Sequence, residues 1–478
     1  MNLQIGLERV GILVVSYGAR EAAMVDVFHR SLEYNVELYV ADRQRNPFNL
    51  ERAHRHVVIP DLNVEDIVRF AVTNRSGIDL GVVGPENPIV AGVRDLVERQ
   101  TGIPMICPTR DYALEGSKVQ QRRLFEALVP EANPRFRVFD PREYSDLGKT
   151  RRDVYEWLDE LGNEAVVKPD RPAVGKGVGV WGDHFSSRED LFSHFLANLK
   201  HGSVVIEERI QGEESSFQTM CDGKHLVPLP DTRDYKRAFD GDRGPNTGGM
   251  GSYKSKGDVL PFLNESDREM EVRIADKLFR KWGLEDKTAL RGFPFYLAFM
   301  HSKDGPKILE NNSRPGDPEA QNLLPLLKDD LVDMCFKMLE GSLTRIDVER
   351  RASVVVYKAP HTYAGFDKSY PSMVRRNEIG EPIDLNRARD LQAVYGDDLR
   401  IYPASVELRG NEIHPLGSRA VCFVGIGDDI ELARETSMRA CEAVHGGALW
   451  HRTDIASREH IEASTLHMAR LKSPVSIS

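Results

Sequence analysis

The chain of 478 residues is long enough for about three domains, and its 41% hydrophobic and 29% charged residues are typical of a soluble globular protein. A net charge of −10 gives no electrostatic case for a nucleic-acid or anionic-membrane partner, so an anionic substrate would need a local cluster of cations. The N-terminal apolar run is too short for a signal peptide or a membrane span, and we expect a cytoplasmic protein that is monomeric or weakly oligomeric. The five cysteines are too dispersed for a metal-binding or redox pair and are expected to be reduced and packed.

The first part of the chain alternates between short β runs and helical patterns. The predicted strands are Arg9–Val15, Val36–Ala41, Ile78–Gly84 and Ile103–Cys107, and the predicted helices are "GAREAAMVDVFHRSL" and "PIVAGVRDLVERQ". This alternation predicts a parallel, doubly wound sheet, in which ligands bind beyond the carboxyl ends of the strands. "SYGARE" (Ser16–Glu21) and "GPE" (Gly84–Glu86) lie at such ends. The first turn lacks a GxGxxG fingerprint, which disfavours NAD binding and an oxidoreductase.

Two segments in the middle of the chain are suited to bind a nucleotide. Lys168 ends a predicted strand, and "VGKGV" (Val174–Val178) then forms the turn of a predicted hairpin, so a cation and flexible backbone donors could hold a polyphosphate. The segment is not a Walker A loop, and alone it is equally typical of an exposed turn. In "IEERIQGEE" (Ile206–Glu214), a strand end could bind adenine through its backbone and ribose through a carboxylate. The alternative is a solvated acidic turn.

A third segment, "LENNSRPGDPE" (Leu309–Glu319), has the pattern of a metal site. Glu310 and Asn312 are two residues apart on a predicted strand, so their side chains share one face. Carboxylate and amide oxygens suit Mg²⁺, and Arg314 could neutralise a transferring phosphoryl group. A lone pair of this kind is more often part of an ordinary surface, but here three phosphate- or metal-compatible segments occur in order.

The glycine-rich stretch "DGDRGPNTGGMGSY" (Asp240–Tyr253) has almost nothing to bury. It is either a solvated surface loop or a loop whose bare backbone approaches a ligand closely. After Arg351, "ASVVVYKAP", "IYPASVELRG" and "RAVCFVGIGDD" predict a smaller β-rich domain with one helix, "DIELARETSMRACEAV".

The order of these motifs resembles the phosphoribosylamine–glycine ligase family, ATP-grasp enzymes of purine synthesis, from about Arg9 to Ile455. The motifs are "GARE", "VVGPENPIVAG", "LEGSK", "VVKP" with "GKGV", "VIEERIQGEES", "DYKRAFDGDRGPNTGGMGSY", "LENNSRPGDPEAQ" and "HRTDIA". The resemblance implies an α/β ATP-grasp fold with an N-terminal doubly wound parallel-sheet (pre-ATP-grasp) domain and a C-terminal β-rich, barrel-like domain. The implied domains are 1–108, 109–345 with a lid subdomain at about 150–215, and 346–478.

The resemblance also implies the reaction and the roles of individual residues. ATP would convert glycine to glycyl phosphate, which the amine of phosphoribosylamine attacks, with Mg²⁺ or Mn²⁺ as the metal. The implied metal ligands are Glu310 and Asn312, and the catalytic residues are Arg314, Asp234 and Lys236. The implied ATP-binding residues are Lys118, Lys168, Gly175, Lys176, Gly177, Glu207, Glu208, Arg209, Ile210 and, for the ribose, Glu214. The implied substrate-binding residues are Arg20, Glu21, Pro85, Glu86, Asn246, Thr247, Gly248, Gly249 and Asp317.

Three positions in the expected substrate loops depart from the family pattern. Ala22 and Tyr235 stand where the family usually has His, and Pro315 stands where it usually has Phe. Because each lost His removes a group that can donate a hydrogen bond or titrate near neutral pH, these departures leave two alternatives open. One is a paralogous ligase with a different amine or amino acid, and the other is a non-catalytic ATP-binding scaffold.

Overall fold

A parallel five-stranded sheet forms the N-terminal part of the computed structural model, which describes residues 7–170, 177–282 and 286–473. Its elements are β1 (Glu8–Ser16), α1 (Ala19–His29), β2 (Tyr34–Asp42), α2 (Pro47–Arg52), β3 (Arg55–Val58), α3 (Val64–Thr73), β4 (Leu80–Val83), α4 (Glu86–Val90), α5 (Val93–Thr101) and β5 (Met105–Ile106). The strand order is β3-β2-β1-β4-β5, with every neighbouring pair parallel. Adjacent residues of β1, Ile12 and Leu13, enter two different hydrophobic cores, so both faces of the sheet are covered.

The predicted doubly wound sheet is therefore confirmed, with two differences in detail. The sheet has an additional edge strand, β3, whose four residues include Arg55 and His56 and carry too little hydrophobic pattern to be read from the sequence. The single helix predicted over "PIVAGVRDLVERQ" is two helices, because the chain turns at Gly92 with φ 86° between α4 and α5.

Two antiparallel four-stranded sheets form the middle of the chain. Their elements and the neighbouring ones are α6 (Lys118–Leu128), β6 (Phe136–Phe139), α7 (Leu147–Glu160), β7 (Ala165–Pro169), β8 (Gly179–Val180), α8 (Arg188–Leu199), β9 (Val204–Glu208), β10 (Glu213–Cys221), β11 (Leu226–Pro228), β12 (Arg233–Asp234), β13 (Arg237–Phe239), β14 (Arg243–Asn246), β15 (Gly251–Lys254), α9 (Glu265–Lys281), β16 (Tyr296–Ser302), β17 (Gly305–Asn312), α10 (Glu319–Leu323) and α11 (Leu331–Glu340). One sheet has the order β6-β9-β7-β8 and the other β11-β10-β16-β17. The predicted hairpin is present, since Val166 on β7 pairs with Val180 on β8. Most of its turn, residues 171–176, lies outside the described residues.

The C-terminal part is built on an antiparallel sheet that includes two strands from the middle of the chain. Its own elements are β18 (Ala352–Pro360), α12 (Phe366–Ser369), α13 (Asn386–Tyr395), β19 (Leu399–Pro403), β20 (Val406–Arg409), β21 (Glu412–Pro415), β22 (Val421–Gly427), α14 (Ile430–Glu442), β23 (Leu449–Trp450) and α15 (Arg458–Lys472). The sheet runs β12-β15-β18-β22-β19, and β23 pairs with β18. The predicted β-rich character is confirmed, but the expectation of one helix is wrong, because α12, α13 and α15 are helical as well.

This shared sheet positions the glycine-rich stretch. Gly251–Lys254 pairs with β18, so the residues just before it lie where the middle of the chain meets the C-terminal part. All five cysteines are buried, and none forms a disulfide. Across the described ranges, no helix is long and apolar enough to cross a membrane.

Candidate active site

The two predicted metal ligands lie at the end of β17 and are surrounded by cations. Lys118 Nζ is 3.6 Å from Glu310 Oε2, and Arg314 Nη2 donates to Asn312 Oδ1 at 3.4 Å. Burial alone would raise the pKa of Glu310, but the surrounding positive charge outweighs it and lowers that pKa to about 2. The cations responsible, in decreasing order of effect, are Lys118, Lys236, Lys168 and Arg314. The Glu310 side chain is therefore an ionised carboxylate, which accepts hydrogen bonds and cannot donate them.

Lys168 lies beside these ligands in a buried ion cluster. It pairs with Glu207 and donates to the carbonyl of Leu309 at 2.9 Å. Arg122 Nε also donates to Glu207, at 2.7 Å, and these two cations hold the pKa of Glu207 below its usual value although burial opposes this. For Lys168, burial lowers the pKa more than the pairing with Glu207 raises it. Two of the three ammonium donors of Lys168 are used here, which leaves one for a ligand.

The predicted adenine segment follows β9. Glu208 pairs with Arg135 at 2.9 Å, and Arg209 Nη1 donates to the carbonyl of Trp181 at 2.7 Å. The backbone N–H groups of Glu208 and Arg209 also have carbonyl acceptors, whereas that of Ile210 has none among the described residues. The Glu207 carboxylate is occupied by its two cations, so adenine binding here would depend on the backbone near Ile210.

Of the three predicted phosphate-binding residues in this turn, only Gly177 is described. Gly177 has φ 92°, and its carbonyl lies 2.8 Å from His194 Nε2. Gly175 and Lys176 lie outside the described residues, and their predicted role in phosphate binding stays a prediction.

Lys236 and Asp234 extend the site from the strand β12. Lys236 Nζ pairs with Glu214, the predicted ribose ligand, and Glu214 keeps a half-exposed carboxylate. Burial, followed by the nearby charge of Glu319, raises the pKa of Asp234 well above its usual value. Asp234 Oδ1 is buried without a hydrogen-bond partner in the described part of the chain. A buried polar atom without a partner is unusual in a folded protein, which marks Asp234 as a candidate functional residue.

The glycine-rich loop folds over Asp234. Thr247 donates from both its backbone N–H and its hydroxyl to the Lys236 carbonyl, at 2.7 and 2.9 Å, and Gly249 N–H donates to Thr247 Oγ1 at 3.1 Å. Gly249 has φ 99°, and a Cβ there would lie 2.5 Å from both Asp234 Oδ1 and Pro318 Cδ. The glycine is therefore required by both conformation and space. Asn246 ends β14 opposite Arg237, and Gly248 follows Thr247 in the loop.

Arg314 lies between two carboxylates contributed by other segments. Its Nε is 3.5 Å from Glu86 Oε2, and its Nη2 is 3.2 Å from Glu115 Oε1. Burial raises the pKa of Glu115 despite Arg314, while the cations Arg314 and Arg20 lower the pKa of Glu86 against the effect of burial. Pro85 is the N-cap of α4, the helix that begins with Glu86.

Arg20 and Glu21 begin α1 beyond the carboxyl end of β1. Arg20 Nε donates to Glu21 Oε1 at 2.7 Å, and its Nη1 donates to the Pro315 carbonyl at 3.0 Å. Glu21 also accepts from the Gly18 N–H at 2.8 Å, and burial raises its pKa. A Cβ on Gly84 would lie 1.9 Å from Glu21 Oε1, so the two strand-end loops are in direct contact.

Asp317 is held by residues that the sequence did not single out. Its Oδ2 pairs with Arg419 at 2.6 Å, and its Oδ1 accepts from the Tyr357 hydroxyl at 2.6 Å. Burial opposes ionisation of Asp317, but Arg419 and Arg20 lower its pKa overall. The sequence did not predict a role at this site for three residues, Arg419, Tyr357 and Glu115. Arg419 and Tyr357 lie in the C-terminal part, outside any phosphate or metal motif. The only sequence signal for Glu115 is its place in the "LEGSK" motif.

Two departures from the family pattern do not face this site. The side chain of Tyr235 points away from its neighbours Asp234 and Lys236, and its hydroxyl accepts from the Ala456 N–H at 2.9 Å. Ala22 is fully buried in a hydrophobic core. The expectation that these two positions lie in substrate loops is therefore wrong for their side chains. Pro315 is different, because its carbonyl accepts from both Arg20 and Arg314.

The structure thus brings most of the predicted residues into one continuous site around Glu310. Four cations lower the pKa of Glu310 directly: Lys118, Lys168, Lys236 and Arg314. Glu86 joins the site through Arg314, Arg20 joins through the Pro315 carbonyl, and Asp317 is linked to both by the charge of Arg20. The side chains of Glu208 and Arg209 are instead engaged with Arg135 and the Trp181 region.

Comparisons with known proteins identify the class of this fold. Two family models match: Phosphoribosylglycinamide synthetase, N domain, over residues 10–115, and Phosphoribosylglycinamide synthetase, ATP-grasp (A) domain, over residues 141–320. The chain is similar to the solved phosphoribosylamine–glycine ligase of Thermotoga maritima, with 26% identity, a TM-score of 0.71, and coverage of 93% of this chain and 100% of that chain. The biotin carboxylase domain of the Hydrogenobacter thermophilus 2-oxoglutarate carboxylase shares the fold, with 16% identity, a TM-score of 0.64, and coverage of 96% and 93%. Fold and site together define an ATP-grasp enzyme.

Relatives in sequence narrow this class to one family. The phosphoribosylamine–glycine ligase of Methanobrevibacter smithii is 35% identical over 466 residues, covering 96% of this chain and 99% of that protein. The corresponding ligase of Pyrococcus abyssi is 34% identical over 466 residues, covering 96% and 98%. The chain belongs to the phosphoribosylamine–glycine ligase family.

Proposed function

We propose that the chain ligates glycine to 5-phosphoribosylamine at the expense of ATP, giving glycinamide ribonucleotide, ADP and phosphate. One observation carries the assignment of this reaction to the site. The ionised carboxylate of Glu310 lies among four cations, and one of them, Lys236, is also close to Asp234 under the glycine-rich loop. Such a cluster can bring together two anionic substrates, because the cations offset the repulsion between them.

The first step activates the carboxylate of glycine. A glycine oxygen attacks the γ-phosphorus of ATP, the bond from that phosphorus to the β,γ-bridging oxygen breaks, and glycyl phosphate and ADP form. In this proposal Lys118 and Lys168 bind the phosphates, and Arg314 offsets the charge on the phosphoryl group; the proximity of all three to Glu310 or Asn312 supports these roles. The Ile210 N–H would donate to adenine, and Glu214 would bind the ribose.

Glu310 and Asn312 fit Mg²⁺, or Mn²⁺ in its place. Both present oxygen ligands from one face of β17, and Glu310 is ionised. Within the described ranges, no group of three or more His, Cys, Asp or Glu side chains could hold a metal alone, so phosphate oxygens would have to complete the site. When bound there, the metal would draw charge from the transferring phosphoryl group. The fold neighbour from Hydrogenobacter thermophilus was solved with MgADP.

The second step forms the amide bond. The amine nitrogen of phosphoribosylamine attacks the carbonyl carbon of glycyl phosphate, the carbon–oxygen bond to phosphate breaks, and inorganic phosphate leaves. The nitrogen must lose a proton as it attacks. In this proposal the acceptor is Asp234, whose carboxyl lies under the glycine-rich loop and close to Lys236.

The orientation of the family departures supports retention of these substrates. Tyr235 and Ala22 pack into cores, so replacing the family His at these positions removes no side chain that projects into the site. Pro315 contributes a backbone carbonyl, which any residue could supply. Ala22 and Tyr235 therefore give no support to the alternative of a paralogous ligase with a different amine or amino acid.

The test is ADP release with phosphoribosylamine generated in situ, against a panel of glycine, alanine, serine and β-alanine. We expect release that requires the amine and strongly favours glycine, with isotopically labelled glycine recovered in the amide product. Turnover with another amino acid but not glycine would identify a paralogous ligase. ATP binding by calorimetry without ADP release from any pair would identify a scaffold.

A further inference from the structure

Arg419 lies two residues before β22, yet its guanidinium reaches the glycine-rich loop. Its Nη1 donates to the carbonyls of Gly248 and Gly249 at 2.8 and 2.7 Å, and its Nη2 pairs with Asp317 Oδ2 at 2.6 Å. The guanidinium also lies 4.4 Å from the ring centroid of Tyr357. One planar group therefore joins the loop, the segment after Arg314 and the C-terminal sheet.

The partners of Arg419 are themselves fixed. Asp317 Oδ1 accepts from the Tyr357 hydroxyl at 2.6 Å and from Gln321 Nε2 at 2.8 Å. On the loop side, Gly249 N–H donates to Thr247 Oγ1, and Met250 N–H donates to the Tyr235 carbonyl at 2.8 Å. A change at Arg419 would therefore release the loop carbonyls without removing the other anchors of the loop.

Arg419 also changes the electrostatics that a substrate meets. Two carbonyl oxygens and the Asp317 carboxylate converge on the guanidinium. The carboxylate carries a full negative charge, and each carbonyl oxygen carries a partial one. Without a cation among them, these oxygens would repel an anionic sugar phosphate near the loop. The planar fork of Arg bonds several oxygens at once, which the point charge of Lys does not reproduce.

We infer that Arg419 is a positioning residue for the amine substrate, a role that rests on the proposed function. It fixes Gly248 and Gly249 against Asp317 and so sets the affinity of the site for the sugar-phosphate amine without contacting it. The residues proposed for the ATP phosphates and the metal, Lys118, Lys168 and Glu310, are not among the hydrogen-bond or ion-pair partners of Arg419. A purely structural role would affect all three substrates alike.

The test compares Arg419→Gln and Arg419→Lys with Arg409→Gln, a charge-matched control on β20 whose guanidinium is exposed and pairs with Glu407. We expect Arg419→Gln to raise KM for the amine tenfold or more, because it loses charge-assisted hydrogen bonds, while KM for ATP changes less than twofold. Arg419→Lys should recover only part of that loss, and Arg409→Gln should match the wild type. An unchanged KM for the amine, or equal rises for all three substrates, would overturn the inference.

A second measurement keeps this test separate from the identity of the substrates. Amide hydrogen exchange of the unliganded chain should become faster at Gly249 and Met250 in Arg419→Gln, with exchange in β7 and β9 unchanged. Exchange at the loop equal to that of the wild type would also overturn the inference. If the wild type fails to ligate glycine but loop exchange changes as expected, the proposed function fails and the positioning of the loop by Arg419 stands.

Discussion

The two halves of the site are assembled in different ways. The half that we propose to bind the nucleotide, with Lys168, Glu207 and Glu310, is built from α6, β7, β9 and β17, all in the middle of the chain. The half that we propose to bind the amine brings together Arg20 from α1 and Arg419 from the C-terminal part. The first half is held by buried ion pairs and hydrogen bonds between two sheets of the middle of the chain, whereas the second forms only when three parts of the chain pack together. Substitutions in the two halves should therefore change different measured quantities.

Glu310→Ala should have the largest effect, because it removes a ligand oxygen at the centre of the cation cluster. Loss of a metal contact in the transition state is worth several kcal/mol, so we expect kcat to fall about 10³- to 10⁴-fold. Steady-state ADP release at several Mg²⁺ concentrations measures this. Lys307→Ala, on the same strand but at the surface, is the control and should keep normal turnover. Near-normal turnover of Glu310→Ala would remove Glu310 from the metal site.

Glu207→Gln tests whether the half that we propose to bind the nucleotide is held together by its own ion cluster. The substitution leaves Lys168 and Arg122 buried without their common counter-ion, with side chains only 9% and 3% exposed. We expect the free energy of unfolding at pH 7 to fall by about 3–5 kcal/mol. Urea unfolding followed by circular dichroism measures it, and a loss below about 1 kcal/mol would contradict the role of the cluster.

Comparing the wild type with Glu207→Gln also predicts how the difference in their unfolding free energies changes with pH. The folded-state pKa of Glu207 is lowered, so the stability it contributes is complete above the unfolded value, about 4.3, and is lost as pH falls below it. The difference in unfolding free energy between wild type and Glu207→Gln should therefore shrink from pH 5 towards pH 3. A difference that stays constant over this range would argue against an ionised Glu207 in the folded chain.

The same contrast explains how much could be predicted from the sequence. β7, β9 and β17 were predicted because each carries its own hydrophobic pattern, and Lys168, Glu310 and Asn312 occupy fixed positions on those strands. Arg419 could not be found in this way, since the residues that it contacts depend on tertiary packing alone. The direction of the Tyr235 side chain was inferred wrongly. The two-residue strand β12 is too short to show which side chains alternate between the two faces of the sheet.

Arg314→Lys probes the junction between the two halves. Lys keeps the charge but cannot span Glu86 and Glu115, which contact Nε and Nη2 of Arg314. We expect kcat to fall about 10²- to 10³-fold, the effect of removing one preorganised electrostatic contact, with KM for ATP changed less than threefold. Rapid-quench measurement of ADP formation separates this loss from slow product release. An unchanged burst of ADP would show that Arg314 does not act in the phosphoryl step.

Tyr235 should give the smallest effect on catalysis, although it lies between two predicted catalytic residues. Its hydroxyl accepts from the Ala456 N–H, and its ring packs 4.9 Å from that of His460. Tyr235→Phe leaves the Ala456 N–H unsatisfied, so we expect the free energy of unfolding to fall by about 1–3 kcal/mol. KM for the amine should stay within about twofold, since the other anchors of the loop are retained. Tyr235→His, which restores the family residue, should leave KM equally unchanged. Unfolding in urea and amine titrations measure the two effects, and a KM that falls severalfold in Tyr235→His would mean that this position does tune the substrate after all.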